Sequence, residues 1–302
     1  MIIIDNFKYS KLTFDCEWKN LPWRPLSPLY WRDRIEWQFK KICCITIKRQ
    51  CHTCAVSKGC MVSFLFKPEY WFEGKRPFKG SIPLPWVPGY PSLYTDKNFT
   101  LSLVLMGTKA ISQLPYWFVV IEQIGKGRGP GFTVKSVYSD TSAGKRALYN
   151  ADGESLLTDP GITEPENFSC IRKLRMDFLT PARLLFQKKP LLTPACSHII
   201  DSIARRGSTL SEFYGDAPLP HLAPEVRACA AAVKATPVNL QWQERVIYSK
   251  KQKETMSLSG LTGSLLLEGN FEPFSPLLGL GEHIGIGKGT ALGLGRYEIQ
   301  VS

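Results

Sequence analysis

Apolar and polar residues alternate along several short stretches of the chain, the period of a half-buried β-strand. Residues 1–18 open with an apolar run and then place Leu12, Phe14 and Cys16 on one side, which predicts one bent strand or two strand-like pieces. Residues 99–106, 132–138, 174–178, 265–269 and 297–301 repeat the strand pattern, and 61–66 reads as a further short strand. A helical period appears in 29–42 through Trp31, Ile35, Phe39 and Ile42, and in 194–214 through Ile199, Ile203, Leu210 and Tyr214. Shorter helices are predicted over 109–118, where Pro115 limits the length, and over 226–233. Residues 74–98 are rich in Pro, Gly and aromatics and read as an irregular loop, and 241–256 as a strand pair or mobile loop.

These elements fall into two similar halves joined by the acidic, turn-rich stretch 152–167. Each half runs strand, helix, strands, then Gly-Lys-Gly with an arginine nearby, then a strand. The first carries Gly125, Lys126, Gly127 and Arg128; the second carries Gly287, Lys288, Gly289 and Arg296. Strands with one or two helices per half predict an α+β fold. Two tandem ferredoxin-like β-α-β-β-α-β domains fit the length, one over 1–160 with a cysteine-cluster insertion and one over 161–302.

The second glycine element, residues 277–297, holds seven glycines and three charged side chains, Glu282, Lys288 and Arg296. Read as a loop, it can lie close to a polyanion and offer N–H groups to phosphates. It is not a nucleotide-binding P-loop, because Gly289 separates Lys288 from Thr290.

Composition narrows the partner. The chain has 302 residues, 44% of them hydrophobic, and a net charge of +12, a balance suited to nucleic acid or an anionic membrane. No run of eighteen apolar residues predicts a membrane span, and no lysine-rich amphipathic helix of convincing length favours a membrane surface. The first residues do not read as a signal peptide, so a cytoplasmic location and reduced cysteines are expected. Four of the nine cysteines, Cys43, Cys51, Cys54 and Cys60, are spaced C-x7-C-x2-C-x5-C, with Cys44 a spare neighbour. Four thiolates with one C-x2-C pair suit a structural zinc ion better than an iron–sulfur cluster. The cations expected on a nucleic-acid partner are Lys126, Arg128, Arg172, Arg175, Arg183, Lys250, Lys251, Lys288 and Arg296, beside the backbone of Gly287, Gly289, Gly293 and Gly295. Trp242 and Tyr248 are placed to stack on unpaired bases.

The segments LRMDFLTPARLLF at 174–186, the helix with Arg205 and Arg206, and GNFEPFSPLLGLGEHIGIGKGTALGLGRY at 269–297 occur in one order. Together with the basic first helix, the cysteine cluster and GKGR, they closely resemble the CRISPR-associated pre-crRNA processing endoribonucleases of the RAMP superfamily. The resemblance implies tandem ferredoxin-like domains that bind CRISPR repeat RNA and cut each repeat once to release guide RNAs. It implies a reaction without a metal cofactor, in which a 2′-OH attacks the adjacent phosphate and leaves a 2′,3′-cyclic phosphate and a 5′-OH. Precursor and mature crRNA are the implied partners, with other subunits of a CRISPR effector complex as further ones. A RAMP-fold subunit that holds the repeat-derived end without cutting is the alternative.

Histidine is the natural acid or base near neutral pH. His283 lies in the glycine signature, two positions before Gly285, where relatives often carry a histidine; an extended backbone would keep both positions on one face. His52 follows the first helix, where many relatives place a catalytic histidine. Tyr30, at the helix start, is a further candidate proton donor or substrate contact, while His198 and His221 read as structural.

Overall fold

The computed structural model describes residues 4, 6–22, 26–46, 50–72, 81–90, 96–127, 129–153, 155–249 and 254–301. It divides into two compact units, Lys8–Thr163 and Glu164–Ser302, the latter taking in Met1–Phe7.

The first unit runs β1 (Tyr9–Trp18), α1 (Pro28–Cys43), α2 (Met61–Phe66), α3 (Pro68–Trp71), β2 (Trp86–Gly89), β3 (Asn98–Met106), α4 (Thr108–Ile111), α5 (Leu114–Lys126), β4 (Phe132–Thr141) and β5 (Gly144–Asn150). Its antiparallel sheet has the order β2-β3-β1-β4-β5, the ferredoxin-like arrangement with β5 added at one edge. Ser27 starts α1: its hydroxyl accepts the Tyr30 N–H at 3.1 Å, and Pro28 follows in the first turn, where its missing N–H costs nothing. The helix buries Trp31, Ile35 and Phe39 as its period predicts, whereas Ile42 is exposed. Trp31 packs among Trp18, Phe99 and Phe132, which join helix to sheet.

Three sequence expectations are corrected here. Residues 61–66 are helical, not a strand; Val62–Phe66 are all buried, so their run carries no period to separate the two. Pro115 opens α5 instead of limiting a helix, since proline is tolerated in a first turn. The stretch expected as a loop contains β2, anchored where the Trp86 Nε1–H donates to the carbonyl of Leu65 at 2.9 Å.

The second unit runs β6 (Lys173–Ala182), β7 (Leu185–Phe186), β8 (Lys189–Pro190), α6 (Cys196–Tyr214), α7 (Pro224–Ala232), β9 (Lys234–Gln243), β10 (Val246–Ser249), β11 (Glu254–Ser257), β12 (Gly260–Glu268), α8 (Ser275–Ile284) and β13 (Tyr297–Val301). Its main sheet is antiparallel with the order β13-β6-β12-β9, again ferredoxin-like; β7–β8 and β10–β11 form small separate hairpins. Leu174, Met176 and Phe178 of β6 are buried with Ile199, Ile203 and Leu210 of α6 and Leu278 and Leu280 of α8. The fold is therefore α+β with two tandem ferredoxin-like units.

The first third of the glycine-rich stretch is not a loop. Residues 275–284 form α8, despite the low helical propensity of Gly279 and Gly281. Packing explains it. A Cβ on Gly279 would collide with the backbone of Glu166, and one on Gly281 with the Tyr297 hydroxyl, which donates to the Leu278 carbonyl at 2.7 Å.

Candidate nucleic-acid interface

In the second unit the two most specific sequence motifs are hydrogen-bonded to each other. The N–H groups of Leu179 and Thr180 donate to the Arg296 carbonyl at 3.0 and 3.3 Å, and the Arg296 N–H donates to the Thr180 hydroxyl at 2.9 Å. The Gly295 N–H donates to the Pro181 carbonyl at 3.0 Å, and the Lys288 N–H to the Arg183 carbonyl at 3.0 Å. Thr180-Pro181-Ala182-Arg183 and the glycine segment after α8 thus form one backbone sheath at the end of β6.

This sheath explains the glycines differently from the sequence reading. Gly287 and Gly295 have φ of 71° and 70°, and a Cβ on either would collide with backbone, of Arg183 and of Ile286 respectively. The N–H groups of Gly287, Gly293 and Gly295 donate within the protein, to the Ser202 hydroxyl, the Thr290 carbonyl and the Pro181 carbonyl. Gly289 is left-handed, and its carbonyl accepts from Leu292 and Leu294. These glycines shape the segment; they do not present a row of free amides to phosphate.

What the sheath does present is positive charge. Lys288 is exposed next to Arg183 across their isolated bridge. The Arg183 Nε is buried without a hydrogen-bond partner among the described residues. Arg296 is half-buried, and desolvation lowers its pKa from the usual arginine value, which raises the cost of leaving it without an anion. Arg172 and Arg175 differ. Arg172 is hydrogen-bonded to Asn270, and Arg175 pairs with Asp177 at 2.9 Å and reaches Ser264 at 3.0 Å. Part of the donor capacity of each is thus engaged within the protein.

His283 stands half-buried in the last turn of α8. The helical backbone removes the basis for equating it with position 285, since residues two apart on a helix point in different directions, and Gly285 is the positive-φ residue (72°) that ends the helix. Glu282 is structural: its carboxylate accepts the Ile299 N–H at 2.7 Å. One contributor outside the sequence candidates is Arg206 on α6. Its Nε donates to the Ile284 carbonyl at 2.8 Å, and burial lowers its pKa to about 10, so it remains charged at neutral pH. The Arg205-Arg206 pair was its sequence signal, because only one of two neighbouring helical arginines can point fully outward.

The first unit holds the remaining candidates. Tyr30 is half-buried on α1, with the Arg34 guanidinium 5.3 Å from its ring centre; a Cβ on Gly129 of the GKGRGPG turn would lie 3.5 Å from its hydroxyl. Lys126 ends α5 and pairs with Glu122 at 3.1 Å. His52 is exposed on a short helical turn, its ring 6.4 Å from that of Tyr70. Arg128, Lys250 and Lys251 lie outside the described residues. Trp242 is half-buried on β9, and Tyr248 is exposed on β10.

Cys43 and Cys51 have thiol pKa values raised first by burial and then by the neighbouring charges of Cys60 and Cys44, offset at Cys51 by Lys40 and Lys67. Cys54 instead has its sulfur 3.6 Å from the Thr46 hydroxyl. Among the described residues no three His, Cys, Asp or Glu side chains are arranged to hold a metal ion. As they stand, the four cysteines do not form a closed tetrathiolate site.

Two family models match separate parts of the chain. Residues 7–161 match the AF_1859_N family, an N-terminal domain, and residues 176–297 match the CRISPR-associated endoribonuclease Cas6 family. No curated protein matches the sequence. Among solved structures, a Cas6 product complex (TTHB231) is 14% identical with a TM-score of 0.56, covering 97% of this chain and 99% of that one. The Thermus thermophilus Cas6 of the same designation gives 14% and 0.54 over the same shares. A second Cas6 product complex (TTHA0078) gives 16% and 0.51, again over 97% of this chain and 99% of that one. Among the described residues no helix is long and apolar enough to cross a membrane. The two family models cover all but residues 162–175 and the chain ends: the chain belongs to the AF_1859_N family, whose model spans just over half of it, and residues 176–297 match the CRISPR-associated endoribonuclease Cas6 family.

Proposed function

We propose that this protein binds CRISPR repeat RNA and cuts the precursor once within each repeat, without a metal cofactor. The 2′-oxygen of the nucleotide before the cut bonds to the adjacent phosphorus as a base removes its proton. The bond from phosphorus to the 5′-oxygen breaks, and that oxygen is protonated. The products are a 2′,3′-cyclic phosphate and a 5′-OH. The observation that carries this reading is the sheath around Arg183, Lys288 and Arg296, where an arginine Nε is buried without a hydrogen-bond partner among the described residues. Its cations suit the extra negative charge that develops on the phosphate during attack. His283, in the segment leading into that sheath, is the first candidate for proton transfer; His52 and Tyr30 are the candidates of the first unit.

The test incubates end-labelled repeat RNA with the protein in EDTA. A single cut leaving a cyclic end is expected, and His283→Ala is expected to slow single-turnover cleavage by roughly 100-fold or more with binding retained. His52→Ala and Tyr30→Phe, run in parallel, assign the remaining proton transfer. Retained binding with no cut under any condition would favour the non-catalytic subunit that holds the guide end, a reading supported by the lack of any histidine in α1.

A further inference from the structure

The outer face of α1 continues beyond Tyr30, a candidate in the cleavage chemistry, into a pattern that this chemistry does not use. Tyr30, Arg34, Trp37 and Lys41 are spaced four, three and four residues apart, so they form one stripe along the helix. Aromatic and cation alternate along it. The Arg34 guanidinium lies 5.3 Å from the Tyr30 ring centre, and the Lys41 ammonium 5.5 Å from that of Trp37. The opposite face of the helix is the buried one, with Trp31, Ile35 and Phe39. Trp37 is 55% exposed, unlike Trp18, Trp31, Trp86 and Trp117, which are fully buried. One carboxylate, Asp33, flanks the stripe a turn before Trp37 against its two cations; Glu36 is buried on another side and paired with Lys40 at 3.2 Å, and the first turn of the helix contains no acid.

We propose that this stripe is a binding rack for unpaired nucleotides of the RNA, with bases stacked on Trp37 and Tyr30 and phosphates held by Lys41 and Arg34. The proposal rests on the RNA-processing reading above and adds a site to it. A cation over one face of each ring leaves the other face for a base and puts a positive charge where the adjoining phosphate would lie. Seven residues of helix separate the two rings by about 10 Å, room for roughly two or three nucleotides of a single strand. Charge complementarity selects RNA over a protein partner: each ring has a cation beside it, and the whole chain carries +12.

The test uses the full chain and a fluorescein-labelled octauridylate, which has no hairpin, with binding read by anisotropy. Trp37→Ala is expected to weaken binding about 5- to 150-fold. Trp37→Phe is expected to restore most of the loss, and Lys41→Ala to lower the salt slope by about 0.7. Because Trp37 is on the surface, the variants are expected to melt with the wild type. Unchanged affinity in Trp37→Ala overturns the proposal and assigns the stripe to a protein partner. A wild-type chain that binds neither octauridylate nor repeat hairpin overturns the RNA reading itself, whereas one that cuts the hairpin while Trp37→Ala binds octauridylate normally overturns only the rack.

Discussion

Arg206 holds the end of the helix that carries His283: its Nε donates to the carbonyl of Ile284 at 2.8 Å, one residue beyond the histidine. A charged donor on a C-terminal carbonyl of a helix satisfies an acceptor that the helix leaves unpaired and opposes its negative end. Under the role proposed for His283, Arg206 is expected to act as a positioning residue. Arg206→Ala is expected to lower the single-turnover cleavage rate about tenfold while the Kd for repeat RNA changes little, with Arg206→Lys recovering part of the rate. Loss of binding and rate in equal measure would make it a plain RNA contact.

Under the proposed function, the exposed ammonium of Lys288 and the partly buried guanidinium of Arg183 are expected to meet RNA in different ways. Lys288→Ala is expected to weaken binding to all RNA sequences alike and to reduce the slope of log K against log salt by about one for a duplex stem. Arg183→Ala removes a donor that is already desolvated, and is expected to cost more affinity than Lys288→Ala. A salt slope near zero for the wild type would refute binding through phosphates.

Gly287 shows why the glycine signature is structural before it is functional. Its φ is 71°, and an added Cβ would collide with the Arg183 carbonyl, the group that accepts from Lys288. Gly287→Ala is expected to destabilise the protein by about 1–3 kcal/mol, read as a lower Tm. It is also expected to part Lys288 from Arg183 and weaken RNA binding. An alanine variant with wild-type Tm and affinity would refute this account.

Much of this was legible in the chain, and the failures share one cause. Leu174, Met176 and Phe178 alternate because one face of β6 is core, and the Ile199–Tyr214 period survives because α6 has one buried side. The pairing of the TP-x-R stretch with the glycine segment was foreshadowed only by their joint occurrence in the family pattern. What could not be read locally were choices made by distant residues. Gly279 and Gly281 look like loop residues until Glu166 and Tyr297 are seen to exclude a side chain there. The run 61–66 has no exposed side to reveal its period. The cations on and just after β6 looked equivalent in sequence, yet Asp177 and Ser264 engage Arg175, and the Arg183 Nε has no hydrogen-bond partner among the described residues.

A structural zinc on Cys43, Cys51, Cys54 and Cys60 remains a proposal with a demanding geometry. Zinc would replace the contact of the Cys54 sulfur with the Thr46 hydroxyl, at 3.6 Å, by a metal–thiolate bond. The proposal expects about one zinc per chain, released by a thiol-reactive mercurial and lost in Cys54→Ser, with a lower Tm after removal. Protein without bound zinc, melting at the same temperature in EDTA and in added zinc, would sink it.

Glu17 on β1 lies between Lys135, at 2.7 Å, and Lys97. Hydrogen bonds from Lys135 first and Lys97 second hold its carboxyl at about 2, below its ordinary value of 4.5. A carboxyl with a depressed folded pKa stabilises the protein above the unfolded value, and that stability is lost as pH falls through 4.5 toward about 2. Thermal melts of the wild type are therefore expected to fall faster over that window than those of Glu17→Gln, with the two curves converging at its acid end. The ion pairs are at the surface, so added salt is expected to narrow the difference. Parallel pH profiles for the two proteins at low salt would show that the lysine clasp contributes nothing to folding.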